Sequence, residues 1–280
     1  MGINQIKTTL LLAGLTSFFL LIGFLLGGIT GITIAFILAL LLNFLMYWYS
    51  DKIVLFMYRA KLASESTHPV LHESLRELAT RSGLPKPKAY VVPSEQPNAF
   101  ATGRNPKHAT IAVTEGIMKL LNEDELKGVL AHEMAHIKNR DILISAIAAT
   151  IAGAISYIAM IARFGAFFGD GREDKEGIVQ LILLSILAPL IALIIRMAIS
   201  RSREYLADET GARILRNPNP LAQALSKLNA SSQKIPMGMG TEATSHLFIV
   251  NPFSGGAFMN MFQTHPSVAS RIGKLKSMKF

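Results

Sequence analysis

Residues 8 to 50 carry no charged side chain, and no other stretch of this 280-residue chain limits its fold so strictly. At about 1.5 Å per residue they would make roughly 65 Å of helix, about twice a hydrocarbon core of about 30 Å. Two membrane-crossing helices fit, near 8–27 and 31–49, with Gly27, Gly28, Thr30 and Gly31 marking the turn. Tyr47, Trp48 and Tyr49 then form an interfacial belt at the end of the second. A cleaved signal peptide is a poorer fit, because the apolar run is too long and a second span follows with no A-x-A site.

Two later segments add to this. Residues 142–162 are free of charge, and 178–195 contain only Gln180 and Pro189 as irregularities. The second is at the short end for a span, and a helix packed on the catalytic part or lying at the interface is its alternative. About four transmembrane helices are therefore expected. Composition agrees, with 50% hydrophobic residues, 17% charged and a mean hydropathy of +0.37. The segment 163–177 carries only Arg163, Arg172 and Lys175 against four acidic residues, whereas Lys7, Lys52, Arg59, Lys61, Arg201 and Arg203 lie on the opposite side. The positive-inside rule makes that side the cytoplasm. The net charge of +9 is scattered without interleaved aromatics, which suits an anionic leaflet and excludes a nucleic-acid stripe. Zero cysteine excludes disulfides and thiolate metal sites.

The chemistry is concentrated in AHEMAH, residues 131–136. On a helix, His132 and His136 project from one face with Glu133 beside them. Two imidazoles so spaced can bind one zinc ion while the carboxylate reaches a water. Asn122 and Glu125 form a capping-box pattern, acidic residues fill the first turn, and Leu126, Val129, Leu130 and Ile137 supply an apolar stripe. The helix is expected over about 123–140, continuing into the apolar segment at 142.

Between the second span and this helix, 68–83 reads as an amphipathic helix with Val70, Leu71, Leu75 and Leu78 buried, and with His68 and His72 at the surface. The runs 88–92, 98–101 and 109–113 read as strands of a small antiparallel sheet, and Thr114 caps a short helix from about 115 to 121. Downstream, SRSREYLADETGARIL places Glu204 and Asp208 four apart on one helix face. A zinc site with two histidines needs a third ligand and an acid that orients an imidazole through its other nitrogen; Glu204 fits the first need and Asp208 the second. An exposed helix with an ordinary pair such as Arg203 and Glu204 is the plain alternative. Residues 229–263, rich in Gly, Met, Ser and Pro, read as a long loop, either a lid or a disordered segment, with His246 unassigned.

HEMAH, EYLAD, NAFATG at 98–103 and HPSVASRI at 265–272 occur in an order that resembles the membrane-bound zinc metalloproteases of the HtpX type and their M48 relatives. The resemblance covers essentially the whole chain. It implies a mainly α fold with a small antiparallel β-sheet, a gluzincin-like metalloprotease domain fused to the membrane helices. By domains, 1–50 is a hairpin, 51–141 and 200–280 form the cytoplasmic catalytic part, and 142–199 is a second hairpin. The resemblance further implies a multi-pass inner-membrane endopeptidase serving membrane protein quality control and the stress response. Its partners would be unfolded or membrane protein substrates, its own chain among them, and the lipid bilayer, with no nucleic acid. One zinc ion per chain is implied, with His132, His136 and Glu204 as ligands, Glu133 as catalytic base, and Asp208 behind the ligands. The segment Asn98, Ala99, Phe100, Ala101, Thr102 and Gly103 would be an edge strand that pairs with extended substrate. His265 and Arg271 would lie near the metal. His265 has three readings: donor to the developing oxyanion, reversible plug at the open metal position, or partner of Arg271 in pinning a loop. Asn139 also matches, without a role.

In such a site the metal lowers the pKa of water and polarises the scissile carbonyl, while Glu133 moves the proton to the leaving amine. Cleavage inside the bilayer is a poor alternative, since Glu123, Asp124, Glu125 and Lys127 flank the motif. A non-hydrolytic metal transporter or holdase is the rival from another class, but it has no use for Glu133.

Overall fold

In a computed structural model, residues 3–148, 150–151, 201–232, 247–250 and 266–279 are described. Helix α1, Ile3–Met57, is two helices folded back at Gly27 and Gly28, whose backbones leave helical geometry, with Gly28 at φ 57. Only glycine adopts this conformation freely, so the turn falls where the glycine cluster predicts it. The arms touch at Gly23 and Gly31, where a Cβ on either would overlap the other's backbone. The Asn43 side chain donates to Thr16 Oγ1 at 2.8 Å across the hairpin. Such a polar link between helices contributes about 0.6 to 2 kcal/mol in an apolar setting. Among the described residues, Gly27–Met57 is the one helix long and apolar enough to cross a membrane, and a shorter apolar stretch, Leu12–Leu21, lies in the first arm. Of the expected span at 142–162, residues 149 and 152–162 lie outside the described residues, as do the whole of that at 178–195 and the segment between the two.

Among the described residues, four strands follow the hairpin or interleave with the helices: β1 (Lys61–Leu62), β2 (Lys88–Val92), β3 (Ala99–Gly103) and β4 (Ala109–Thr114). Their spatial order is β1-β2-β4-β3. The sheet is mixed, not antiparallel as the run of short strands and turns suggests, because β4 inserts between β2 and β3 and runs parallel to β2. Residues 109–114 are buried throughout, as suits an interior strand with neighbours on both sides. Among the described residues strand β3 is left at the edge, paired on one side only, with Ala101 opposite Ile111.

Helix α2 (Pro69–Ser82) buries Leu71, Leu75 and Leu78, while Val70 is exposed and Ser74 and Ala79 complete the inner face. His72 is mostly covered and contacts the Ala63 carbonyl oxygen at 3.1 Å, so it ties α2 to the chain end of β1 and is no free surface residue. Thr114 caps α3 (Glu115–Leu120). Helix α4 (Glu123–Lys138) starts with both halves of the Asn122/Glu125 capping box in place. Its predicted stripe, Leu126, Val129, Leu130 and Ile137, is buried in the main core.

Helix α4 does not run on into the apolar segment. It ends at Lys138 with Asn139 as its C-cap. Arg140 N–H bonds Ile137 O at 3.2 Å and Asp141 N–H bonds His136 O at 3.3 Å, a reversed pair with Arg140 at φ 58. This is a Schellman ending with arginine where glycine is usual, at a strain of about 1 to 2 kcal/mol. A separate helix, α5 (142–148), then packs Ile144, Ile147 and Ala148 against Leu15 of the hairpin. Helices α6 (Arg201–Leu215), α7 (Asn219–Ser232) and α8 (Val268–Lys276) complete the described elements, with α4 at the centre against α6 and α7.

Candidate metal centre

The face of α4 that carries His132 and His136 meets the face of α6 that carries Glu204 and Asp208. The meeting is close because Gly211, two turns beyond Glu204 on the same face, has no side chain: a Cβ there would stand 2.9 Å from His132 N and 3.0 Å from Ala131 O. The two imidazole Nε2 atoms lie 3.1 Å apart. Glu204 sets one carboxylate oxygen 3.7 Å from His132 Nε2 and the other 3.7 Å from His136 Nε2. Among the described residues these three form the one group of acidic and imidazole side chains disposed to hold a metal ion.

Both outer ring nitrogens face carboxylates: His132 Nδ1 is 2.9 Å from Asp208 Oδ1, and His136 Nδ1 is 3.0 Å from Asp141 Oδ2. These contacts assign the proton to Nδ1 on each ring and leave two Nε2 lone pairs and a carboxylate oxygen converging on one point. Without a metal ion, a proton on His136 Nε2 takes the cation's place between the two rings. Metal–ligand bonds of about 2.0 to 2.1 Å in a tetrahedral arrangement set neighbouring donors about 3.3 to 3.4 Å apart, so the three separations fit a zinc-sized ion. In the metal-free arrangement burial opposes charge on His136, yet the adjoining Asp141 carboxylate prevails and pushes its pKa up to about 10.

Glu133 lines the same cleft and is buried. Burial lifts its pKa above the usual carboxylate value, with the two imidazoles and the Ala101 N–H, which donates to it, acting the other way. Phe100 and Ala101 of β3 line one wall, and Leu247, Phe248 and Ile249 another. That second wall lies within the segment read as a long loop, but residues 247–249 are buried. They are stitched down by Asn98, whose side-chain amide donates to Leu247 O and accepts from Ile249 N–H, both at 3.2 Å. Asn98 thus holds a wall of the cleft, while Thr102 and Gly103 lie further along β3 and do not line the cleft.

Arg271, 1% exposed, contacts Asp208 through two guanidinium nitrogens at 2.6 and 2.8 Å and donates to Ile249 O at 2.8 Å. Burial would raise the Asp208 pKa, but Arg271 outweighs it and holds the carboxyl below its usual range. Arg271 therefore meets the metal ligands directly as well as through Asp208, with Nη2 3.5 Å from both ring nitrogens of His132 and Nη1 3.6 Å from a Glu204 oxygen. Asn139 acts as the C-cap of α4 through its backbone N–H, bonded to Ala135 O at 2.8 Å. His265 and His246 lie outside the described residues. The sequence reading missed Asp141 and Gly211. The first could not be placed without the break in α4; the second is a glycine inside a helical pattern, a signal of close packing that was available.

Peptidase family M48 is matched by residues 65–279. The chain belongs to peptidase family M48. Within the family it is 52% identical over 280 residues to the protease HtpX homologue of Syntrophobacter fumaroxidans, covering 98% of this chain and 99% of that one. The HtpX homologue of Pyrococcus furiosus is also 52% identical, over 99% of this chain and 97% of its own. That of Thermodesulfovibrio yellowstonii is 54% identical over 98% of both. The crystal structure of S. mikatae Ste24p matches at a TM-score of 0.54 and 19% identity over 98% of this chain, a likeness of fold; the chain spans 66% of that protein's length. The M48 chain is thus an HtpX-type metallopeptidase with an apolar membrane-length helix near its start.

Proposed function

We propose that this M48 chain is a zinc-dependent endopeptidase of the inner membrane that cleaves misfolded or damaged membrane proteins at the cytoplasmic face. The observation that carries the reading is the pair of Nε2 atoms 3.1 Å apart, with Glu204 closing the third side and Glu133 buried in the same cleft. His132 Nε2, His136 Nε2 and a Glu204 oxygen would hold the zinc ion. When bound, zinc lowers the pKa of water and polarises the scissile carbonyl. Glu133 accepts the proton of the attacking water on its carboxylate and delivers it to the leaving amine. The outer edge of β3 offers main-chain donors and acceptors to an extended peptide, and Phe100, Leu247 and Phe248 give the cleft apolar walls that suit apolar side chains. The cytoplasmic placement rests on Lys52, Arg59 and Lys61 directly after the hairpin. A holdase or transporter using the same ligands has no task for Glu133.

Glu133→Gln is expected to abolish proteolysis of an unfolded substrate in detergent while retaining about one zinc per chain, because the residue moves a proton and is not a ligand. His132→Ala and Glu204→Ala are expected to lose metal as well. Ordinary turnover by Glu133→Gln would remove the mechanism. For orientation, a tag near Ser94 is expected to label from the cytoplasm and one at Gly171 only from outside; labelling of both from inside would overturn the second hairpin.

A further inference from the structure

His136 is the more open of the two imidazoles, its side chain 18% exposed against 2% for His132. What fixes its ring comes from beyond its own helix. The Schellman ending of α4 turns the chain back through Arg140, in a left-handed conformation that arginine adopts only under constraint, and sets Asp141 under the ring five residues earlier. Asp141 is 2% exposed. One of its oxygens meets His136 Nδ1 at 3.0 Å, and the other has no hydrogen-bond partner among the described residues. A carboxylate placed for stability alone would pair both oxygens, since a buried bare one carries its desolvation uncompensated. Asp208 differs: it divides its charge between His132 and the two-nitrogen grip of Arg271. Asp141 also acts on the buried Arg203 guanidinium through its charge, but its short contact, at 3.0 Å, is with the imidazole.

We propose that Asp141 is a positioning residue for the metal ion, holding the proton on His136 Nδ1 so that the Nε2 lone pair faces the metal. It acts separately from the Asp208–Arg271 pair, which serves His132. The proposal rests on the metal-site reading above. It also gives α5 a place in the site: Asp141 sits at the head of the helix that packs on the hairpin, so the acceptor for His136 is referenced to the membrane part of the chain.

The test uses the full chain in detergent, carrying Glu133→Gln to prevent self-cleavage, with zinc affinity measured against a chromogenic chelator and the visible spectrum recorded with cobalt in place of zinc. Asp141→Asn keeps an acceptor for Nδ1–H and loses the charge, so its affinity should fall by about 3- to 10-fold with a cobalt spectrum close to that of the parent. Asp141→Leu removes the acceptor and should lose about 10- to 100-fold, with altered cobalt bands. A purely structural role would shift the melting temperature without moving the cobalt bands or the affinity. Both variants within twofold of the parent would overturn the proposal, and if the leucine variant does not fold, the asparagine variant decides by the same criterion. His132→Ala is measured alongside: its retention of one zinc per chain would sink the metal-site reading itself, a failure distinct from that of Asp141.

Discussion

Gly211→Ala adds one methyl group at the place where α6 lies against α4, and its effect can be worked from distances. The new Cβ would meet His132 N at 2.9 Å and Ala131 C and O at 3.0 Å, all backbone atoms that no rotamer change can clear. Carbon contacts relax only at about 3.5 Å or beyond, so the two helices must separate by about 0.5 Å. Alanine recovers about 1 kcal/mol of helix propensity, and overpacking costs about 1 to 3 kcal/mol, which leaves a net loss of about 0 to 2 kcal/mol. The site suffers more than the fold. His132 stands on one helix and Asp208 on the other, 2.9 Å apart, and half an ångström more brings that contact to about 3.4 Å, beyond good hydrogen bonding. Glu204, one helix turn before Asp208, is drawn off both imidazoles by the same movement. The expected result is a folded protein whose zinc affinity in a chelator competition drops by about 10- to 100-fold. Peptide cleavage should remain impaired even at saturating zinc, since a site this precise tolerates displacement of only about 0.5 Å. A variant with unchanged zinc affinity and a melting temperature raised by the propensity gain would refute the argument that this glycine sets the helix spacing.

Two further outcomes follow from the site's electrostatics. The folded pKa of His136, about 10, lies above its unfolded value of about 6.5, so the proton stabilises the metal-free fold fully below about pH 6.5 and is lost as pH rises through about 10. Zinc must displace that proton, and its apparent affinity should rise about tenfold per pH unit between about 6.5 and 8, with about one proton released per zinc in calorimetry; a flat profile would exclude it. Asp208→Asn keeps one acceptor for His132 but leaves the Arg271 charge poorly matched, so it should melt lower and fall between wild type and Glu204→Ala in a zinc titration. Superimposable titrations of Asp208→Asn and wild type would show that the carboxylate does not support the site.

What the sequence made legible is what short range decides. The HEMAH helix starts where Asn122 and Glu125 cap it, the hairpin turns where Gly28 permits it, and Glu204 and Asp208 share a face because they are four apart. What it hid depends on partners far along the chain. The parallel pairing of β2 with β4 needs a strand inserted between two that precede it, and nothing local in residues 88–92 records that. Asn98 binds a segment 149 positions away. Asp141 was concealed by Arg140, a residue type that normally carries no turn signal, so an unbroken helix was the natural expectation and the wrong one.

Arg271 has a consequence for how the molecule comes into being. Through Asp208 and Ile249 it joins the histidine-bearing helix, the carboxylate-bearing helix and the wall of the cleft, yet it is synthesised last of all these parts. While the chain is still emerging, the histidines exist without their glutamate, and Asp208 without its cation. The M48 chain is therefore expected to stay without a finished site until α8 docks, so that maturation and the onset of activity become one event.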